Sequence, residues 1–259
     1  MIIVLSGEGP SDLGSCINEQ GICVQPNFNY GPMTCFIDKE LQAHIGFSLL
    51  ESTPENYFFV SKTELIRLTN ELKQNRKTMS LKGKKRQGAE TSYFYLNAFI
   101  LGKKAIELSN EYSDSVIAIL FRDCDGTRSS ESTLWQNKVN SIHQGFNDSK
   151  LGKRGVPMVP KPKSESWMLC VLRDNYQQCA RLENLSGNDS VENSAKHQLH
   201  VALNENSSTT AQVQSLENIE INNILLAEQM PSYQAFQQSL IDAYNENNTL
   251  SRNYNIDTI

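Results

Sequence analysis

Long hydrophobic runs, a basic excess, zinc-spaced cysteines and internal repeats are all missing from this chain of 259 residues. No apolar stretch approaches the roughly 20 residues that cross a bilayer, which argues against a membrane span. The first apolar run is only Ile2 to Leu5 with no basic region before it, so it lacks the shape of a secretory leader. Net charge is −5, from 24 Lys and Arg against 29 Asp and Glu, which excludes a globally basic nucleic-acid footprint and leaves only local ones. The six cysteines (Cys16, Cys23, Cys35, Cys124, Cys170, Cys179) form neither C-x-x-C pairs nor Cys/His clusters. Free thiols in a reducing compartment, and hence a cytoplasmic protein, are the expectation.

What the chain does have is acid placed after apolar runs. MIIVLSGEGPSD opens the sequence and SVIAILFRDCDGT stands near its middle. Each run reads as a strand buried on both faces of a parallel sheet, and ligands and catalytic groups of such sheets gather at the carboxyl ends of the strands. Glu8, Asp12, Asp123 and Asp125 fall at those ends, and Glu165 follows a third short run, VPMVP, whose prolines mark an edge strand. Carboxylates converging on a hard cation would suit phosphoryl chemistry, because Mg2+ takes oxygen ligands.

Between the acids, helical spacing appears at 32–50, 61–75, 90–111, 133–146 and 165–177, with an apolar YFFV at 57–60. Glycines and a proline between 14 and 26 predict only a short or late helix after the first strand. Residues 184–215 are polar and read as loops around one short helix at 194–203. Two helices follow, at 220–230 and 232–244, separated by Pro231. The alternation predicts an α/β fold with right-handed crossovers. Two basic groups offer local nucleic-acid contacts: Lys82, Lys84, Lys85 and Arg86, and then Lys150, Lys153, Arg154, Lys161 and Lys163. Cys124 lies between two acids, which disfavours a thiolate nucleophile. Trp167 reads as core, and His143, His197 and His200 as surface residues without a metal role.

Together, G-E-G-x-x-D, D-C-D-G and K-P-K-S-E-S-W resemble the Toprim fold of topoisomerases, primases and OLD-type nucleases. The likeness is closer to small stand-alone bacterial Toprim-like proteins, through Glu8 to Asp12, Gly31–Pro32, Asp123 to Gly126, Glu165 with Trp167, and the late MPSYQAF segment. That resemblance implies a Toprim-like, parallel-rich sheet flanked by helices over 1–183, with a helical insertion at about 27–90. A polar and helical region, 184–259, would pack on it. It implies a Mg2+- or Mn2+-dependent nuclease acting on DNA or RNA, similar to antiviral defence effectors, with an ATPase as a conceivable partner. Carried over by position, the resemblance implies that Glu8 is the metal-proximal ligand or the general acid/base glutamate, that Asp123 and Asp125 are metal ligands, and that Asp12 and Glu165 complete the set. Lys163 or Lys161 neutralises charge on the scissile phosphate.

Two other readings compete. FRDCDGT matches the D-x-D-G-T motif of haloacid-dehalogenase-type phosphatases, in which Asp123 would be a nucleophile and Asp125 an acid/base. That reading leaves Glu8 idle. A non-catalytic Toprim-like module binding nucleic acid or a protein partner is the third.

Overall fold

The computed structural model describes residues 1–18, 20–75, 91–124 and 132–256. Apolar periodicity builds a sheet first. Strands β1 (Ile2–Ser6), β5 (Tyr57–Val60), β6 (Val116–Phe121) and β7 (Gly155–Met158) run parallel, and β3 (Ile22–Cys23) adds antiparallel at one edge, giving the order β3-β5-β1-β6-β7. β1 pairs with β5 on one side (Val4 opposite Phe58) and with β6 on the other (Val4 opposite Ala118). β7 is the far edge and carries Pro157, whose missing N–H costs no ladder bond on the open side.

Because side chains alternate across a strand, the sheet divides the core in two. Ile3, Leu5, Tyr57, Phe59, Ile117, Ile119 and Phe121 face one way. That side is covered by α1 (Pro32–Ile45), α6 (Ser164–Val171), α7 (Ala195–Ala202), α8 (Thr209–Glu217), α9 (Asn223–Gln229) and α10 (Pro231–Ile256). Ile2, Val4, Phe58, Val60, Val116, Ala118 and Leu120 face the other way, under α3 (Lys62–Asn75), α4 (Ser92–Tyr112) and α5 (Ser132–Ser149). The result is the expected α/β fold, a mostly parallel sheet flanked by helices with a helical C-terminal region. Among the described residues no helix is long and apolar enough to cross a membrane.

Several local expectations shift. The helical pattern at 32–50 is broken by Gly46, whose φ of +94° ends α1, and resumes as the short α2 (Leu49–Ser52). Among the described residues, the turn-rich stretch after β1 makes no helix. It forms an antiparallel ribbon of β2 (Gly14–Cys16) and β4 (Phe28–Tyr30), with Gly14 at φ +119°, where an added Cβ would collide with the backbone of Asn29 and Tyr30 on the opposite strand. The pattern at 165–177 stops as α6 at Val171, and a separate helix, α8, lies inside the polar region.

The expectation of free thiols throughout is corrected: Cys16 bonds Cys23, and Cys170 bonds Cys179, while Cys35 and Cys124 are free and buried. The pairs are 7 and 9 residues apart, and turns bring their Cα atoms within 5.7 and 5.2 Å. Such pairing depends on where the chain doubles back, which cysteine spacing alone does not disclose.

Candidate active site

Three strands deliver the acids to one edge. β1, β6 and β7 are parallel neighbours, so the segments after Ser6, Phe121 and Met158 emerge on the same side of the sheet. The crossover from β1 to β5 carries α1 on one face, and that from β5 to β6 carries α3 and α4 on the other. The β1/β6 boundary is therefore the switch point of the sheet, the place where open parallel sheets generally bind ligands. Glu8 follows β1 and Asp123 follows β6, on either side of that boundary.

Ser164 ties the acids together. Standing at the first position of α6, it donates from Oγ to Asp12 Oδ1 at 2.7 Å and from its backbone N–H to Asp123 Oδ1 at 3.1 Å. A longer contact of 3.4 Å joins the same hydroxyl to Glu165 Oε2. One serine thus links residues 152 and 41 positions away in sequence. The backbone around Asp123 is fixed by continuation of the β6/β7 ladder, with Arg122 N–H donating to Met158 O and Cys124 N–H to Pro160 O. Lys138, from α5, donates to the Cys124 carbonyl.

Asp12 is held by the start of α1. Met33 N–H donates to Asp12 O, Gly31 N–H to Leu13 O, and Thr34 Oγ1 to Leu13 O at 2.7 Å. A Cβ on Gly31 would lie 2.3 Å from Asp12 O, so only glycine lets the two segments touch. The Gly31–Pro32 pair accordingly works as a clamp on the Asp12 loop.

The electrostatics are strained in one sense. Burial pushes the Asp12 carboxyl above its usual range, the nearby Glu8 charge adds to this, and the Ser164 and Ser11 hydroxyls and Lys163 oppose it. Glu165 is likewise raised, first by burial and then by the charges of Asp12 and Asp189. Lys163 precedes α6 and pairs with Asp189 at 2.9 Å, and Lys196 reaches the same carboxylate at 3.3 Å. The Asp189 carboxyl is pulled below its usual range by these lysines, against its partial burial.

Arg122, between β6 and Asp123, is wholly buried. Its Nη1 donates to Phe121 O at 2.7 Å, and its Cζ lies 5.5 Å from the centre of the Tyr93 ring. Burial lowers its pKa, while Tyr93 and the Glu8 charge favour its charged form.

Glu8, Asp12, Asp123, Lys163 and Glu165 all lie at the carboxyl edge. Lys161 is there too, placed so that its charge acts on the buried Glu183 carboxylate. Lys153 and Arg154 are not: they sit in a turn before β7, at the amino edge of the sheet, far from the acids. Asp125, Lys82, Lys84, Lys85 and Arg86 lie outside the described residues. Trp167 is core, packed edge-to-face with Phe36 and Tyr233 and at a tilt against Phe236. His143 is partly buried rather than a surface residue, and burial lowers its pKa.

All the acids offer hard oxygen donors, the chemistry Mg2+ or Mn2+ takes. Among the described residues no three Asp, Glu, His or Cys side chains come together as a metal-holding group. Ser164 and Arg122 had no signal in the sequence as site residues. A serine at a helix start reads as a cap, and a lone arginine in an apolar strand reads as an end marker. Compared with protein-family models, curated proteins and solved structures, the chain matches none of them.

Proposed function

We propose that this protein is a metal-dependent nuclease that cleaves phosphodiester bonds in DNA or RNA. The observation that carries the reading is the Ser164 bridge, which draws Asp12 and Asp123 from two strand ends to the switch point of the sheet, beside Glu8 and Glu165. Buried carboxylates that also feel a neighbouring negative charge, as Asp12 and Glu165 do, are costly in a folded protein. An adjacent divalent cation would relieve that cost.

Asp12, Asp123, Asp125 and Glu165 are the residues that would hold Mg2+, and when bound the ion would supply Lewis-acid stabilisation of the phosphate. The protein's own groups do the rest. Glu8, on the loop after β1 and near enough for its charge to act on Asp12, can take a proton from an attacking water. Lys163, held ready by Asp189, can turn its ammonium to charge developing on the phosphate. Ser164 keeps Asp12 and Asp123 in register so that neither swings away when substrate enters.

The test is cleavage of plasmid DNA, single-stranded DNA and structured RNA by purified protein with Mg2+ or Mn2+, beside Glu8→Ala and Asp123→Ala. We expect a loss of about 100-fold or more in each variant. Equal activity in all three proteins would defeat the site assignment. Turnover of p-nitrophenyl phosphate that needs Asp123 but not Glu8 would favour the phosphatase instead.

A further inference from the structure

We propose that Ser6, Asn97 and Arg122 form a buried receptor for a phosphoryl oxyanion, on the α4 side of the sheet just beneath the carboxyl edge. Their shared property is hydrogen-bonding capacity left over. Among the described residues, Ser6 Oγ, Asn97 Nδ2, and Arg122 Nε and Nη2 are buried with no well-formed hydrogen bond, although the Tyr93 side chain is close enough to favour the guanidinium's charge. Ser6 and Arg122 are 0% exposed and Asn97 4%. Nearly all buried polar groups in folded proteins are paired, and an unpaired one costs about 1–3 kcal/mol, more when charged. Three residues in this condition on one face call for an occupant.

Topology puts them together. Ser6 has the same parity in β1 as Ile2 and Val4, and Arg122 the same parity in β6 as Ala118 and Leu120, so both point to the α3–α5 side. Ser6 pairs in register with Leu120, which places Arg122 one step further on the neighbouring strand. α4 packs across both strands on that side. The guanidinium lies against Tyr93, and Asn97 is four residues on, on the same face of α4.

The unused groups decide the ligand's chemistry. The guanidinium and the amide nitrogen can only donate, and the hydroxyl can donate as well. One of them carries a full positive charge. The complement is an anion rich in acceptors, and the spare N–H and O–H hydrogens outnumber the acceptor sites of a carboxylate. A phosphoryl group, with three or four oxygens, fits better, and the planar guanidinium fork matches it. Glu8, whose charge already reaches Arg122, is the competitor. The inference rests on the nuclease reading only for the source of the phosphate, which would be the polynucleotide rather than free phosphate.

The experiment is thermal unfolding and calorimetric titration of the full chain in EDTA, with inorganic phosphate at matched ionic strength. Wild type should show a saturable, phosphate-dependent rise in Tm that chloride does not reproduce. Arg122→Met should weaken phosphate binding at least tenfold. In phosphate-free buffer its Tm should equal or exceed that of wild type, because an apolar side chain replaces a poorly paired buried charge. Asn97→Ala and Ser6→Ala should weaken binding severalfold, and Glu8→Gln should strengthen it.

A second arm compares a short oligonucleotide with and without a 5′-phosphate. Phosphate-dependent binding that inorganic phosphate displaces and Arg122→Met abolishes would support a polynucleotide source; binding of inorganic phosphate alone would support a free-phosphate source. Absence of any phosphate effect on wild type would overturn the proposal. So would Arg122→Met, or both smaller variants, responding to phosphate as wild type does. Loss of stability of Arg122→Met in phosphate-free buffer would overturn it too, by showing a purely structural arginine. Failure of the nuclease reading would leave phosphate binding intact, so the two can be told apart.

Discussion

Ser164→Ala gives the most direct physical test of the site. The substitution removes the hydroxyl that donates to Asp12 Oδ1 at 2.7 Å, and it leaves the backbone N–H that donates to Asp123 Oδ1. Ser164 is 5% exposed, so water cannot easily replace the lost donor. A hydrogen bond to a charged group contributes about 1.5–3 kcal/mol, and we expect the variant to lose about 2 kcal/mol of unfolding free energy. For a domain of this size that corresponds to a fall in Tm of about 4–8 °C. The assay is urea unfolding followed by far-UV circular dichroism, with a calorimetric scan beside it.

A double-mutant cycle isolates the contact. In an Asp12→Asn background the serine faces a neutral acceptor, and its removal should cost about 1 kcal/mol less than in wild type. An unchanged cost in that background, or a Ser164→Ala protein within about 0.5 kcal/mol of wild type, would refute the bridge. The nuclease assay on Ser164→Ala then tells whether Asp12 and Asp123 must be held in register. Retained cleavage together with the expected instability would make the serine a structural prop only.

Gly31→Ala drives a methyl group into the Asp12 carbonyl, which a Cβ would meet at 2.3 Å, and should cost about 1–3 kcal/mol while displacing Asp12; denaturant titration and cleavage rate should fall together. His143 has its pKa lowered by burial, so the stability of its neutral form is present above the unfolded value of 6.5 and is lost as pH falls through the folded one. Urea midpoints measured at pH 5.5 and 7.5 should differ more in wild type than in His143→Leu. Thiol titration in denaturant should count two free cysteines without reductant and six after reduction, and six without reductant would contradict both disulfides.

Much of the architecture was legible because burial leaves a periodic trace. VIAILF, buried on both faces, could only be an interior strand, and the stripe in 92–112 had to be a helix lying on a sheet. The ribbon of β2 and β4 left no such trace. Its strands are three residues each, too short for alternation, and they exist because Gly14 and Gly31 allow close backbone approach. α10 was legible only to about Tyr244. Beyond that its asparagine-rich continuation has low helix propensity, and a tertiary bond from Asn247 Nδ2 to Ser115 Oγ joins it to the strand region. The acids of the site could be located from strand ends, since a strand end is a sequence feature. Their linkage through Ser164 and the condition of Arg122 could not, because both depend on which elements become neighbours.

The aromatic packing of α6 has a consequence for the order in which the protein is made. Ser164 and Glu165 open a helix whose Trp167 is wedged against Tyr233 and Phe236 and donates from Nε1 to Ser232 Oγ at 2.8 Å. Glu183 accepts from Ser232 N–H at 2.7 Å, and Tyr233 Oη donates to Glu40 at 2.9 Å. Ser232 lies 65 residues after Trp167, so these partners are synthesised later than α6 itself. A nascent chain that has displayed Glu8, Asp12, Asp123 and Glu165 still lacks the wedge that seats α6 until Ser232, Tyr233 and Phe236 have followed, so the carboxyl-edge site stays unassembled over that interval.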